Sequence, residues 1–459
     1  MVNLASILDD HPHGHTALVS GEDHVSYGRL RDDVAAARGA LTGLGLDPGD
    51  RVAIVCGTNP RFVRAWFATI GAGFVAVPLN PQSPAPELQR ELAAVGARAA
   101  IVGPAGIRAV DGIDRDLLPE LRHVLVASGH SGEGSSDFDA LVAESAPAPM
   151  VDRGDDDLAV LLFTSGTAGA PKAAMLSHGN LGANLRQVQS SAVRAARPDD
   201  VLVCVVPLYH VFGLNSILDL GMVAGATVVL VERFDPLSLM HTIESESASM
   251  LVGPPTMWSA LAAVDDPPLE ALAGIRMAVS GAAALREGVV HAVKERLGIE
   301  LHEGYGLTEA SPSLTLSVGT GAPIGSIGRP IGGIEMRLVD SDGDDVYVGD
   351  PGEIVVRGPN VFKGYWNNPE ATERVLDPDG WLHTGDLAVV DDDGFLSIVD
   401  RAKDLIIVSG FNVYPAEVES VLSEHPAVAD VAVVGHDHPH SGETVKAFGQ
   451  LDILVGSAG

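Results

Sequence analysis

Apolar positions along the chain follow two alternating periods. Across residues 27–44 they recur at the spacing of a helix face, residues 51–55 (RVAIV) form a short continuous apolar run, residues 61–71 return to helical spacing, and residues 74–77 are apolar again. Short buried strands alternating with helices predict α/β architecture. The pattern resumes at residues 158–163 as a buried strand and passes through a Gly-rich turn to a helix around Leu181, with further strands predicted at 201–206 and 227–231. Beyond Gly325 its character changes. Short apolar runs are separated by Asp-Gly turns, as in VDSDGDD and VDDDGFLSIVD, which predicts an antiparallel, β-rich subdomain. The last break falls at Asp400-Arg401, after which a helix at 416–423 and a strand at 428–434 predict a small α+β domain. The expected organisation is a large N-terminal domain, residues 1–400, made of two α/β subdomains plus the β-rich subdomain, followed by a C-terminal domain at 401–459. The polar stretch SGHSGEGSSDFD from Ser128 reads as a surface loop, and there is no internal repeat.

Composition narrows the function classes. With 46% hydrophobic and 20% charged residues the chain has the material for a globular core and no signature of disorder. Its net charge of -32, from 61 acidic against 29 basic residues, argues against nucleic acid or an anionic membrane surface as partner. Lysine occurs only as Lys172, Lys294, Lys363, Lys403 and Lys446, while aspartate clusters at Asp9-Asp10 and Asp391-Asp392-Asp393. A salt-adapted, halophilic surface is expected from this, against the plainer account of a GC-rich gene that favours arginine. Cys56 and Cys204 sit in apolar runs and read as small buried hydrophobes of a reducing compartment. The N-terminus lacks a basic region followed by an apolar one, and the most apolar segments are broken by residues such as Arg64 and Asp219, so a soluble, cytoplasmic protein without a transmembrane segment is expected.

The sharpest chemical signal is FTSGTAGAPK, running from Phe163 to Lys172 directly after a predicted strand. Hydroxyls, glycine N–H groups and a lysine together can wrap phosphate oxygens, because small residues let the backbone approach the anion. The string lacks the GK[ST] ending of a Walker A loop, and taken by itself it could be an ordinary Gly-rich turn. Further strings of interest follow in order: PLYH ending at His210, SGAA at 280–283, GYGLTE at 304–309, WLHTGD ending at Asp386 and DRAKD at 400–404.

In this order the strings resemble the signatures of the adenylate-forming (AMP-binding) superfamily, of the acyl-CoA synthetase or fatty-acid–CoA ligase type, over almost the whole chain. The first is similar to the family's phosphate-binding YTSGTTGxPKG, with Phe163, Ala168 and Ala173 departing from it, so some hydroxyl donors and backbone freedom are lost. The resemblance implies ATP, Mg²⁺ and coenzyme A as cofactor and co-substrates. It implies that Thr164, Ser165, Gly166, Thr167, Gly169 and Lys172 bind the phosphates, and that His210 gates the carboxylate pocket. Gly281, Ala282 and Ala283 would run along adenine, with Gly304, Tyr305, Gly306 and Thr308 holding adenine and the α-phosphate. A tyrosine ring can pack on a purine, and the carboxylate of Glu309 suits the hard cation as its metal ligand. Asp386 would accept from both ribose hydroxyls, Arg401 would reach the ribose at the hinge, and Gly410 would line the pantetheine tunnel. Lys172, His210, Thr308, Glu309 and Arg401 are thus the expected catalytic set.

The implied activity is ATP-dependent activation of a small-molecule carboxylic acid to acyl-AMP, followed by transfer to coenzyme A. Apolar or small candidates for the acyl pocket, Val252, Pro254, Trp258, Val279 and Ala310, point to an aliphatic acid and to fatty acid metabolism. After Val445-Lys446-Ala447-Phe448 the sequence departs from the family pattern, which ends in a PKTxSGKxxR-like segment, so the C-terminal domain is expected to be incomplete and adenylation impaired. Two alternatives follow: an acyl-AMP ligase that loads a carrier protein, and a nucleotide-binding pseudoenzyme lacking that catalytic lysine.

Overall fold

The computed structural model describes residues 3–127, 134–164, 171–191, 196–401, 404–408, 411–423, 425, 428–438 and 442–451. Four sheets organise them. In the first, nine strands lie in the order Arg329–Pro330, Ser313–Leu316, Leu301–Gly306, Met277–Ser280, Met250–Gly253, Val201–Cys204, Thr227–Leu230, Thr16–Ser20 and Asp23–Ser26. Its centre is parallel and its edges antiparallel, as expected where helices cover both faces. The second sheet has seven strands, Ser136–Asp137, His123–Val126, Ala99–Val102, Arg51–Val55, Val75–Pro78, Leu158–Thr164 and Lys172–Ser177, and only the last pairing is antiparallel.

The predicted α/β alternation is what these sheets are built from. The helix Tyr27–Thr42 begins where the Ser26 hydroxyl accepts from the Arg29 N–H. The helix Pro60–Gly71 begins with Asn59 capping two N–H groups and a proline whose fixed φ suits the first turn. That second helix lies in the largest core cluster, with Phe62, Trp66, Phe67 and Ile70 fully buried. The strand expected at 201–206 stops at Cys204, two residues after which Pro207 removes a ladder donor. The loop expected from Ser128 is a correction in part: residues 128–133 lie outside the described residues, but Ser136–Asp137 forms a short strand and Phe138–Glu144 a helix. Fully buried Phe138 anchors that helix, and the Asp137 carboxylate caps it.

The β-rich stretch beyond Gly325 is a four-stranded antiparallel sheet, Glu335–Val339, Gly352–Arg357, Leu382–Val390 and Leu396–Arg401. The fourth sheet, in the order Phe411–Val413, Ile406–Val408, Gly442–Leu451 and Val428–His438, is packed by the helix Pro415–Ser423. A large mixed α/β body with a small α+β unit behind it is therefore the fold. Cys56 and Cys204 are free and buried, and burial pushes both thiols up to about 12. Among the described residues no helix is long and apolar enough to cross a membrane.

Candidate active site

Parallel strands end in a row, and a cavity of about 730 Å³ opens there. Val252, Val279, Ser280 and Gly304, at or near the C-terminal ends of three neighbouring strands, line it, in the crevice where open α/β sheets bind ligands. The hairpin of the second sheet closes one side with Thr164 and Lys172, and the third sheet closes another with Asp386 and Arg401. Ser280 has its hydroxyl buried and without a partner among the described residues, so a polar atom waits at the wall.

The hairpin's register sets the phosphate end. Thr164 and Lys172 face each other across the antiparallel pair, and the Thr164 hydroxyl donates to the Lys172 carbonyl over 3.5 Å. Ser165, Gly166, Thr167 and Gly169 lie outside the described residues, as does Gly410. The Lys172 ammonium stands 5.1 Å from the centroid of the Tyr365 ring, and the Tyr365 hydroxyl donates to Glu309 Oε1 over 2.6 Å. Glu309 belongs to a single 3₁₀ turn, Thr308–Ala310, and both Thr308 and Glu309 line the cavity. Among the described residues its second oxygen carries no partner. A lone carboxylate open to a cavity is a suitable site for Mg²⁺, which takes one or two protein carboxylates and completes its shell with substrate phosphate and water.

Across the cavity, Asp386 is held from two sides. Tyr305 donates its hydroxyl to Asp386 Oδ2 over 2.7 Å, and Arg401 Nε lies 3.0 Å from Oδ1. Asp386 is only 8% exposed, whereas the Arg401 side chain is 57% exposed. Burial first, and then the facing Asp386 charge, keep the Tyr305 phenol protonated. The turn before Asp386 is fixed by Glu353, which accepts from the Gly385 N–H over 2.9 Å and pairs with His383 Nδ1 at 3.0 Å. The Gly385 φ of +75° is a left-handed conformation that a side chain would strain. Gly281 and Ala282 line the wall, and Ala282 holds a φ of +70°, a conformation that persists only where the surroundings enforce it. Gly306 also lines it, but Ala283 is exposed and is not part of the wall.

His210 precedes a one-turn helix, Val211–Gly213, and its ring meets that of Tyr209 at 4.8 Å between centroids. It lines the cavity, and loss of surrounding water lowers its pKa, so the imidazole is neutral at pH 7. The chain then makes a π-helix, Leu214–Asp219. This wider turn faces Ser216 and, just beyond it, Leu220 to the cavity, while Asn215 donates inward to the Ser311 carbonyl over 2.6 Å and Asp219 accepts from Trp66 Nε1 over 3.0 Å. Asp219 is wholly enclosed, and burial pushes its carboxyl up to about 8.

The remaining wall is apolar, formed by Val188, Val252, Val279, Leu316 and Val318, with Phe212 beside it and a hydroxyl pair, Ser216 and Ser313, 3.4 Å apart. Of the residues expected for an acyl pocket, Val252 and Val279 are here. Trp258 is a correction: it is fully buried in a separate core cluster, on a helix, Pro255–Ala262, packed against the helix Glu287–Leu297. Pro254 and Ala310 are likewise absent from the wall. Tyr365 and Glu353 went unmarked in the sequence, since neither lies in the strings that carry the resemblance.

The chain matches the profile of the family described as AMP-binding enzyme over residues 6–366, and that of the AMP-binding enzyme C-terminal domain over 417–452. It is 37% identical to a feruloyl-CoA synthase from an Amycolatopsis species, covering 95% of this chain and 85% of the relative. It is 34% identical to a long-chain-fatty-acid–CoA ligase of Bacillus subtilis, covering 88% and 77%. Among solved structures, ATP-bound MatB from Rhodopseudomonas palustris superposes with a TM-score of 0.90 at 32% identity, over 98% of this chain and 89% of that one.

Proposed function

The chain belongs to the AMP-binding enzyme family and is an acid–thiol ligase, and from that premise we propose that it activates an uncharged, apolar-bodied carboxylic acid with ATP and passes the acyl group to the thiol of coenzyme A. One observation carries the reading: a carboxylate gripped by Tyr305 and Arg401 stands on the same cavity as Lys172 and Glu309. That arrangement pairs a ribose acceptor with groups that neutralise phosphate.

In the first half-reaction the substrate carboxylate attacks the α-phosphorus of ATP, the bond to the bridging oxygen breaks, and pyrophosphate leaves. Lys172 and Thr164, with Ser165, Gly166, Thr167 and Gly169 of the adjoining loop, neutralise and orient the triphosphate. Thr308 donates to the α-phosphate, Asp386 accepts from the ribose hydroxyls, and Tyr305 and the 281–282 turn pack along adenine. Bound at Glu309, Mg²⁺ supplies charge neutralisation for the phosphate oxygens. In the second half-reaction the thiolate of coenzyme A attacks the acyl carbonyl and expels AMP. Neutral His210 lies where it can contact the carboxylate without adding a charge.

The charged side chains on the cavity wall are Lys172, Glu309 and Arg374 at one end, His210, and the Glu353, His383, Asp386 and Arg401 group at the other. The wall of Val252, Val279 and Leu316 offers none, so a second carboxylate on the substrate would be buried unpaired. Phe212 and the Ser216–Ser313 pair favour a ring bearing a polar substituent over an unbranched alkyl chain, in contrast to the aliphatic acid expected from sequence. The test is product mass spectrometry over a panel of aryl, alkyl and dicarboxylic acids with ATP and coenzyme A, alongside pyrophosphate exchange. CoA thioesters of substituted aryl acids are expected, and no exchange with any acid would overturn the proposal.

A further inference from the structure

Three side chains from three separated segments form one chain of contacts: Lys172, Tyr365 and Glu309. The hydroxyl of Tyr365 donates to the carboxylate on one side, and the face of its ring receives the ammonium on the other. Tyr365 sits on an irregular segment whose backbone is tied to both neighbours. The Phe362 N–H donates to the Glu309 carbonyl over 2.9 Å, and the Lys363 and Trp366 N–H groups donate to Met175 and Ala173 carbonyls over 2.9 and 2.8 Å, on the strand that begins with Lys172. The Tyr365 N–H itself donates to the Thr372 hydroxyl over 2.9 Å, and the Phe362 ring meets the tyrosine edge-on at 5.0 Å. The ring is therefore fixed before any ligand arrives.

Glu309 needs such a holder. It projects from a single 3₁₀ turn, and with one oxygen free to rotate out of line it would not present a fixed ligand to a cation. Lys172 has the opposite problem, a flexible stem with an ammonium at its end. We propose that Tyr365 is a positioning residue that couples the two: it fixes the Glu309 carboxylate for the divalent cation and parks the Lys172 ammonium beside it, so that cation and lysine meet the phosphates as one preset unit. This rests on the ATP-dependent reading above.

A separation of the two contacts tests the idea. Tyr365→Phe removes the hydroxyl and keeps the ring; Tyr365→Leu removes both. Isothermal titration of ATP with and without Mg²⁺ gives the gain in affinity that the cation brings. In Tyr365→Phe that gain should shrink by about tenfold, the scale of a hydrogen bond to a charged acceptor, while affinity for Mg²⁺-free ATP stays within about twofold. Tyr365→Leu should lower the Mg²⁺-free affinity as well, by releasing Lys172. A merely structural tyrosine would lower both affinities together with the melting temperature. An unchanged Mg²⁺ gain in Tyr365→Phe overturns the proposal, and that variant decides the matter even where Tyr365→Leu fails to fold. Because nucleotide binding is read directly, the result is independent of whether any acid in the panel is turned over.

Discussion

Asp386 and Arg401 stand directly opposite each other on neighbouring antiparallel strands, and the guanidinium Nε lies 3.0 Å from the carboxylate Oδ1. Register alone places the two groups together, and the 2.7 Å bond from Tyr305 fills the other oxygen. Replacing Asp386 by alanine should therefore weaken ATP binding by about 10- to 100-fold, the worth of one or two hydrogen bonds to a charged group. Calorimetric titration measures it, and unchanged affinity would remove Asp386 from the ribose site.

Lys172→Met keeps the length of the side chain and removes its charge. Because the ammonium lies over the Tyr365 ring and faces the cavity, its loss should slow pyrophosphate exchange by about 10²- to 10³-fold, as for removal of one preorganised donor to developing charge. The release of acyl-CoA from synthetic acyl-adenylate should fall far less. Equal losses in both half-reactions would contradict a role confined to the triphosphate.

Asp219 gives a pH signature. Its carboxyl is raised to about 8 by burial, against an unfolded value near 3.9, so the folded state holds its proton more tightly. The stability this proton confers is complete below about pH 4 and is lost as pH rises through about 8. Asp219→Asn keeps the acceptor for Trp66 Nε1 and cannot ionise. Melting curves from pH 5 to 9 should show the variant gaining on the wild type as pH rises; a difference that is flat with pH would refute the buried proton.

Salt should stabilise the protein. With a net charge of -32, like charges repel across the surface, and the Debye length shrinks to about 3 Å at 1 M salt. Melting temperature and activity are expected to climb from dilute buffer to molar KCl. A flat or falling series would favour the composition-bias account of the arginine usage.

Much of the site could be read in the sequence because its residues sit where strands end. FTSGTAGAPK, GYGLTE and WLHTGD each follow or form a strand, so periodicity located them, and the structure brings Lys172, Glu309 and Asp386 to one cavity. The acyl wall was less legible. Met250–Gly253 is buried on both faces, so its sequence gives no period to tell which side meets the cavity, and Trp258 was placed there when its helix packs the opposite way. Tyr365 was illegible for a different reason: its importance comes from two contacts to residues 56 and 193 positions away, which nothing local announces. The widened turn at Leu214–Asp219 escaped too, since an apolar run fits an ordinary helix equally well.

That widened turn makes the pocket adjustable by insertion and deletion rather than by substitution. An i→i+5 turn holds one residue more than an α-turn, and each residue advances a helix by about 100°. Removing a single codon within 214–219 would let the helix regularise and swing everything after it by that angle, taking Leu220 off the cavity wall and bringing a new neighbour onto it. Length variation at this one place is thus a coarse dial for the size and polarity of the acid accepted, while the finer settings lie in the side chains of Phe212 and Ser216.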